Sequence, residues 1–197
     1  TQLNPLTNVI FNPSDNQILK YLDDDGFPIE PIYYAPIIPM LLVNGSKGIG
    51  TGFSTDIMSY NPRDIITYLK CLLTGEAAPS VKVEPFYNGF TGTVTKIADK
   101  KYLIKGVYKK ADKNSILITE LPVGTWTDDY KAFLEKEIDS GKKTIKEYTD
   151  MSTDRTVFFT VKFHPGALEK LEASSTDGHI NGVEKFMRLA SSHSTTN

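Results

Sequence analysis

The chain has 197 residues, 40% hydrophobic and 23% charged, with a formal net charge of −2. That composition suits a globular protein with a sizeable core, and its near-neutral balance excludes a generic polyanion binder, so any nucleic-acid contact must be local. The single cysteine, Cys71, excludes an intrachain disulfide framework and fits a reducing compartment. No run approaches the ~18 apolar residues of a membrane span, so no membrane partner is expected. The opening Thr1-Gln2-Leu3-Asn4-Pro5-Leu6 lacks a Met and reads as interior chain, so the sequence is expected to be a piece of a longer protein.

In chain order, Pro5 and Pro13 limit the first stretch to a helical turn and a loop, with a short strand near Ile18–Leu22. Asp23-Asp24-Asp25-Gly26 signals a turn; its carboxylates lack calcium-loop spacing and read as solvated. Phe27–Ile32 is extended around Pro28 and Pro31, and the apolar run Tyr33–Val43, broken by Pro36 and Pro39, is expected to thread as extended chain. A glycine-rich loop follows. Asn61-Pro62-Arg63-Asp64 opens a helix, with Asn61 as cap and an apolar stripe through Ile65, Ile66, Leu69, Leu72 and Leu73, ended by Gly75. Ala77–Pro85 reads as a linker.

The second half is predicted to alternate strands and helices. Gly92–Ile97, Tyr102–Val107 and Ser115–Glu120 read as strands, and Asp128–Ser140 as a helix capped by Thr127 and stopped by Gly141. Ile145–Met151 and Thr156–Phe163 read as two more strands, Pro165–Ala173 as a short helix, Gly178–Gly182 as a loop, and Ser191–Asn197 as a polar tail. The hairpin region is basic, with Lys100, Lys101, Lys105, Lys109, Lys110 and Lys113 against Asp99 and Asp112. Such lysines can hold phosphates or guard sheet edges.

The most informative stretch is Asn44-Gly45-Ser46-Lys47-Gly48-Ile49-Gly50-Thr51-Gly52-Phe53-Ser54, with four glycines in eight residues and Ile49 between two of them. Glycine at that density lets a backbone approach another molecule closely. A bulky β-branched residue in its midst suits a wedge driven into something apolar, such as stacked DNA bases. From spacing alone, a second reading stands beside it: Ile49 as a core residue and the glycines as a tight turn. The stretch matches neither the phosphate-binding P-loop nor the Gly-x-Gly-x-x-Gly dinucleotide pattern, so an enzyme using this loop for a nucleotide is disfavoured. His164, His179 and His193 are scattered, and no zinc-ligand spacing or nucleophile elbow exists. By its own chemistry the chain is expected to be non-catalytic.

The run from Glu30-Pro31 through Tyr34, Pro36-Ile37-Ile38-Pro39-Met40, Asn44-Gly45, Gly48-Ile49-Gly50-Thr51-Gly52-Phe53-Ser54 and Tyr60-Asn61-Pro62-Arg63 resembles type IIA DNA topoisomerases, in their eukaryotic and large-DNA-virus branch. Phe86–Thr93, Ile118–Lys131, Tyr148 with Thr153–Val157, and Phe186, Leu189 and Thr195–Asn197 extend the resemblance over nearly the whole chain. Ser46-Lys47 stands where many members have Ala-Glu, Phe53 where they often have Trp, and Gly124 where they usually have Arg.

The resemblance implies an α+β fold with a mixed or antiparallel sheet and a few packed helices. Residues 1–28 would be the C-terminal tail of a winged-helix domain, and residues 29–197 a tower (shoulder) domain, ribosomal-protein-S5-like, carrying a DNA-bending loop at 44–54. It implies that Ile49 intercalates and bends double-stranded DNA, with Asn44, Gly45, Ser46, Lys47, Gly48, Gly50 and Thr51 binding DNA around it. The parent would be an ATP-dependent, homodimeric enzyme of the nucleus or, if viral, of the host cytoplasm or virion. Its catalytic tyrosine would lie just upstream of Thr1, and its Mg2+ and ATP would bind outside these residues. The alternative is a non-catalytic architectural module that bends DNA by itself.

Overall fold

The computed structural model describes residues 2–75, 83–174 and 178–195. Contacts divide the chain into two compact units, Thr1–Tyr87 and Asn88–Thr195.

The first unit begins with a single helical turn, α1 (Thr7–Ile10), and a 3-10 turn at Pro13–Gln17, whose start is capped by Asn12 accepting from the Ser14 amide. Strands β1 (Tyr21–Asp24) and β2 (Phe27–Pro31) form an antiparallel hairpin. The Asp23 carboxylate accepts the Gly26 amide at 2.9 Å, so the acidic run closes a turn. The first strand lies slightly later than expected. The apolar run that follows is corrected in its second half: Met40–Asn44 is a helix, α2. Pro36 and Pro39 both precede its first residue, where a proline breaks no helical hydrogen bond.

The glycine-rich stretch is also corrected, from loop to hairpin: β3 (Ser46–Ile49) pairs antiparallel with β4 (Ser54–Ile57). Helix α3 (Pro62–Thr74) is as expected, with the Asn61 side chain accepting from the Arg63 amide at 3.0 Å and Gly75 in the left-handed region. Of the expected linker, residues 77–82 lie outside the described residues; Pro85 bridges to Tyr60. Met58 and Ile65 are the buried large apolar side chains described in this unit, while Leu3, Leu6, Phe27 and Leu73 are exposed.

The second unit holds two antiparallel sheets. One has the order β11-β6-β5, from β5 (Thr93–Ala98), β6 (Lys101–Lys105) and β11 (Ala190–Ser194). The other has the order β7-β8-β10-β9, from β7 (Val107–Asp112), β8 (Ser115–Glu120), β9 (Ile145–Asp150) and β10 (Phe159–Phe163). The expected strand Tyr102–Val107 is split at Gly106, where a Cβ would meet the carbonyl oxygen of Glu120, so the chain leaves one sheet and enters the other. Helix α4 (Thr127–Asp139) joins β8 to β9 with β10 between them, a split β-α-β arrangement. Thr127 is its first residue and not its cap; Trp126 occupies the cap position with no side-chain bond.

The core of this unit follows the two periodicities. In α4, Tyr130, Phe133 and Leu134 are buried at i, i+3 and i+4. Ile116 and Ile118 of β8, and Phe159, Val161 and Phe163 of β10, alternate inward. Leu168 of α5 (Ala167–Ala173) and Val183 of α6 (Gly182–Phe186) close it. Burying each such side chain contributes roughly 1.5–3 kcal/mol. Helix α6 starts at the last residue of the expected Gly178–Gly182 loop and occupies the first half of the short Val183–Leu189 segment. A capping box nucleates it, with Asn181 accepting the Glu184 amide and Glu184 accepting the Asn181 amide. β10 starts at Phe159, later than expected, because Thr153 and Thr156 tie off a turn through their hydroxyls at 2.7 Å. The expected polar tail is instead β11, paired with β6 through Ser194; residues 196–197 lie outside the described residues.

Candidate nucleic-acid interface

The β3–β4 hairpin is held at its base by the backbone. Gly45 follows α2 with φ of 69° and ψ of 174°, a conformation other residues scarcely adopt. A Cβ there would sit 2.7 Å from the Ile57 carbonyl oxygen. The Ser59 hydroxyl donates to the Asn44 carbonyl at 3.3 Å, and the Tyr60 amide to the Leu42 carbonyl at 2.8 Å. Beside the base, the Tyr87 hydroxyl is held above its ordinary pKa, by burial first and by the Asp56 carboxylate second.

The register pairs Ser46 with Ile57, Lys47 with Asp56, Gly48 with Thr55 and Ile49 with Ser54. At the tip the Gly50 amide donates to the Phe53 carbonyl at 2.8 Å, leaving Thr51 and Gly52 as the turn, with φ of 87° at Gly52. Side chains alternate between faces. Lys47, Ile49, Ser54 and Asp56 therefore share one face, and Gly48, Gly50, Phe53 and Thr55 the other.

Ile49 is 90% exposed and Phe53 87% exposed. The reading of Ile49 as a core residue is thereby overturned: a hairpin tip has no interior to receive it. Gly48 differs in kind from Gly45. Its φ lies outside the left-handed region and a Cβ would meet nothing within 4 Å, so nothing in the described chain requires glycine there.

Of the residues singled out in the sequence, Lys47, Gly48, Ile49, Gly50 and Thr51 come together on the exposed outer half of the hairpin, while Asn44, Gly45 and Ser46 form its root. Phe53 was missed as a tip residue. Its signal was the spacing of two bulky apolar residues across a Gly-Thr-Gly turn, visible only once the stretch is read as a hairpin.

The lysines of the β5–β8 region are less available than their sequence density suggests. Lys110 pairs with Glu172 at 2.8 Å, Lys113 with Glu169 at 3.3 Å and Lys105 with Glu184 at 2.8 Å. Acids on α5 and α6 thus neutralise much of the patch. A shallow cleft lined by Lys105, Glu172, His179, Asn181 and Glu184 has its charges engaged in those same pairs. Among the described residues no cluster of three or more His, Cys, Asp or Glu could hold a metal ion, and no helix is long and apolar enough to cross a membrane.

A family model that describes the A subunits of DNA gyrase and topoisomerase IV matches residues 1–197. The chain is 46% identical to DNA topoisomerase 2 of Bombyx mori over 199 residues, covering 100% of this chain and 12% of the relative. It is 40% identical to DNA topoisomerase 2 of Drosophila melanogaster over 199 residues, covering 99% of this chain and 13% of that protein. With DNA topoisomerase 2 of Acanthamoeba polyphaga mimivirus it shares 50% identity over 141 residues, 72% of this chain and 11% of the relative. The crystal structure of the Plasmodium falciparum topoisomerase II DNA-binding, cleavage and re-ligation domain superposes with a TM-score of 0.86 at 41% identity, over 97% of this chain and 25% of that one. The chain spans only 12–13% of the two insect relatives' length. A full-length family match, this level of identity and a shared α+β fold lead to one conclusion: the chain belongs to the type IIA DNA topoisomerase family, of which it represents a part of the core.

Proposed function

We propose that this stretch grips and bends the duplex that its parent, an ATP-dependent type II DNA topoisomerase, cleaves and reseals, and that Ile49 is the wedge. The observation that carries the reading is an isoleucine 90% exposed at a hairpin tip, beside a Gly48 that the chain's own packing does not require. An exposed β-branched side chain on a backbone-pinned ribbon can enter a base step. Unstacking that step costs a few kcal/mol, offset by the contacts that bent DNA makes. Gly48 and Gly50 let phosphates approach the backbone amides, Lys47 stands on the face of Ile49 two residues away, Ser46 and Thr51 supply hydroxyls, and Asn44 with Gly45 sets the root.

The names of the relatives support the parent activity, and the solved Plasmodium domain supports the assignment to a DNA-binding and cleavage region. Residues 1–28 are read as the tail of a winged-helix domain and 29–197 as a tower domain. The catalytic tyrosine, the Mg2+ site, the ATPase and the main homodimer contacts belong to other parts of the parent, which works inside the cell on nuclear or viral DNA.

The test is a bending assay on the full-length parent, with fluorophores at the two ends of a short duplex. Ile49→Ala is expected to bind the duplex yet bend it far less, with loss of strand passage and an unchanged melting temperature. Undiminished bending by Ile49→Ala would remove the wedge.

A further inference from the structure

We infer that Phe53 is a second DNA-contacting residue, whose ring rests on an apolar nucleotide surface, a base face or deoxyribose laid bare by the kink. The inference rests on the reading of Ile49 as the wedge. Phe53 is 87% exposed, and its backbone is fixed by the Gly50–Phe53 hydrogen bond and by Gly52. Its cross-strand neighbour is Gly50 and the diagonal neighbour is Gly48, so no side chain of the facing strand covers the ring, and Thr55 follows two residues on along the same face. The hairpin therefore positions the ring without packing it.

The two faces of the tip differ in chemistry. The Ile49 face carries a cation, Lys47, and an anion, Asp56. The Phe53 face carries Gly48, Gly50, Phe53 and Thr55, with no charge among them. A phosphate finds no ionic partner there. A base face or sugar finds an aromatic ring beside two glycines that let it come close. Aromatic rings hold single bases without sequence preference, because every base offers a π-face.

The experiment uses the full-length parent and the same end-labelled duplex, with Ile49→Ala, Phe53→Ala and Phe53→Trp. Phe53→Ala is expected to weaken binding about tenfold, with the salt dependence unchanged because no phosphate contact is lost. Phe53→Trp should restore affinity, and the added indole emission, taken as the difference from wild type, should be quenched by the duplex. Combining Phe53→Trp with Ile49→Ala should abolish that quenching, since the surface is uncovered only by the kink. If wild type bends the duplex, Ile49→Ala does not, and Phe53→Ala binds like wild type, the Phe53 inference falls while the wedge stands. A lowered melting temperature in Phe53→Ala also overturns it, because the ring would then be packed on protein. If Ile49→Ala bends like wild type, the wedge itself fails and the inference with it.

Discussion

The Tyr130 hydroxyl donates a buried hydrogen bond of 2.8 Å to the Met187 carbonyl, 57 residues away in sequence. It ties α4 to the turn that follows α6, beneath Arg188, whose guanidinium lies 4.3 Å from the centre of the Phe133 ring. Tyr130→Phe keeps the ring and removes the bond. The expected cost is about 1–2 kcal/mol, read as a shift in the urea midpoint at constant slope. Burial raises the Tyr130 pKa well above its ordinary range, outweighing the opposing pull of Arg188. The folded state thus holds this proton more tightly than the unfolded chain. The contribution is complete below about pH 10 and is lost as pH climbs past the unfolded value. Tyr130→Phe should flatten that alkaline fall; an equally steep fall in the variant would count against it.

Gly45 and Gly48 should respond oppositely to one added methyl. At Gly45 the backbone alone imposes about 1–3 kcal/mol on a non-glycine residue, and the Ile57 carbonyl blocks the Cβ as well. Gly45→Ala should lower the melting temperature and disorder the hairpin. Gly48→Ala should leave melting within the error of the measurement, yet weaken duplex binding by fluorescence anisotropy. Normal binding by Gly48→Ala would mean that no phosphate comes near that position.

Lys47→Ala should reduce the slope of log affinity against log salt by about one, the signature of one lost phosphate contact. Lys47 stands directly across from Asp56 in the register, on the same face of the hairpin. An unchanged slope would remove the phosphate role of Lys47.

Glu172→Gln removes the partner of Lys110. Both side chains are well over a third exposed, so stability should change by less than about 1 kcal/mol. Salt-sensitive, non-specific DNA binding should rise, because a masked lysine is released. A flat response would show that the β5–β8 lysines face away from any bound duplex.

Where periodicity and capping chemistry agree, the sequence was legible. α3 was readable at both ends because Asn61, Pro62 and Gly75 each have one structural use there. β8 was readable from its apolar alternation, and α4 from its terminal signals, of which the Gly141 stop held and the Thr127 cap did not. What escaped notice depended on partners distant in sequence. β11, Ala-Ser-Ser-His-Ser, has no strand signature of its own and exists because β6 offers it a ladder. α2 was hidden by prolines that lie before the helix rather than in it. At the candidate site, the proposed wedge was visible as an isoleucine between glycines, but its exposure was not, since only the hairpin register separates a core residue from a tip. Phe53 was invisible for the same reason. The lysine patch was misleading in bulk, because its neutralising glutamates come from helices about sixty residues later.

The pairing of β6 with β11 also sets the order in which this sheet can be made. β6 contributes Leu103 and Ile104, both buried, and its flank is covered by residues that follow Lys105 by 85 positions. At about 5–20 residues per second on the ribosome, that flank stands open for roughly 4–17 s after β6 emerges. Throughout that interval a half-built sheet presents an apolar, unpaired edge to every other nascent chain nearby. Slowing translation between residues 106 and 189 lengthens that interval and is expected to raise the aggregated fraction while leaving the finished protein unchanged.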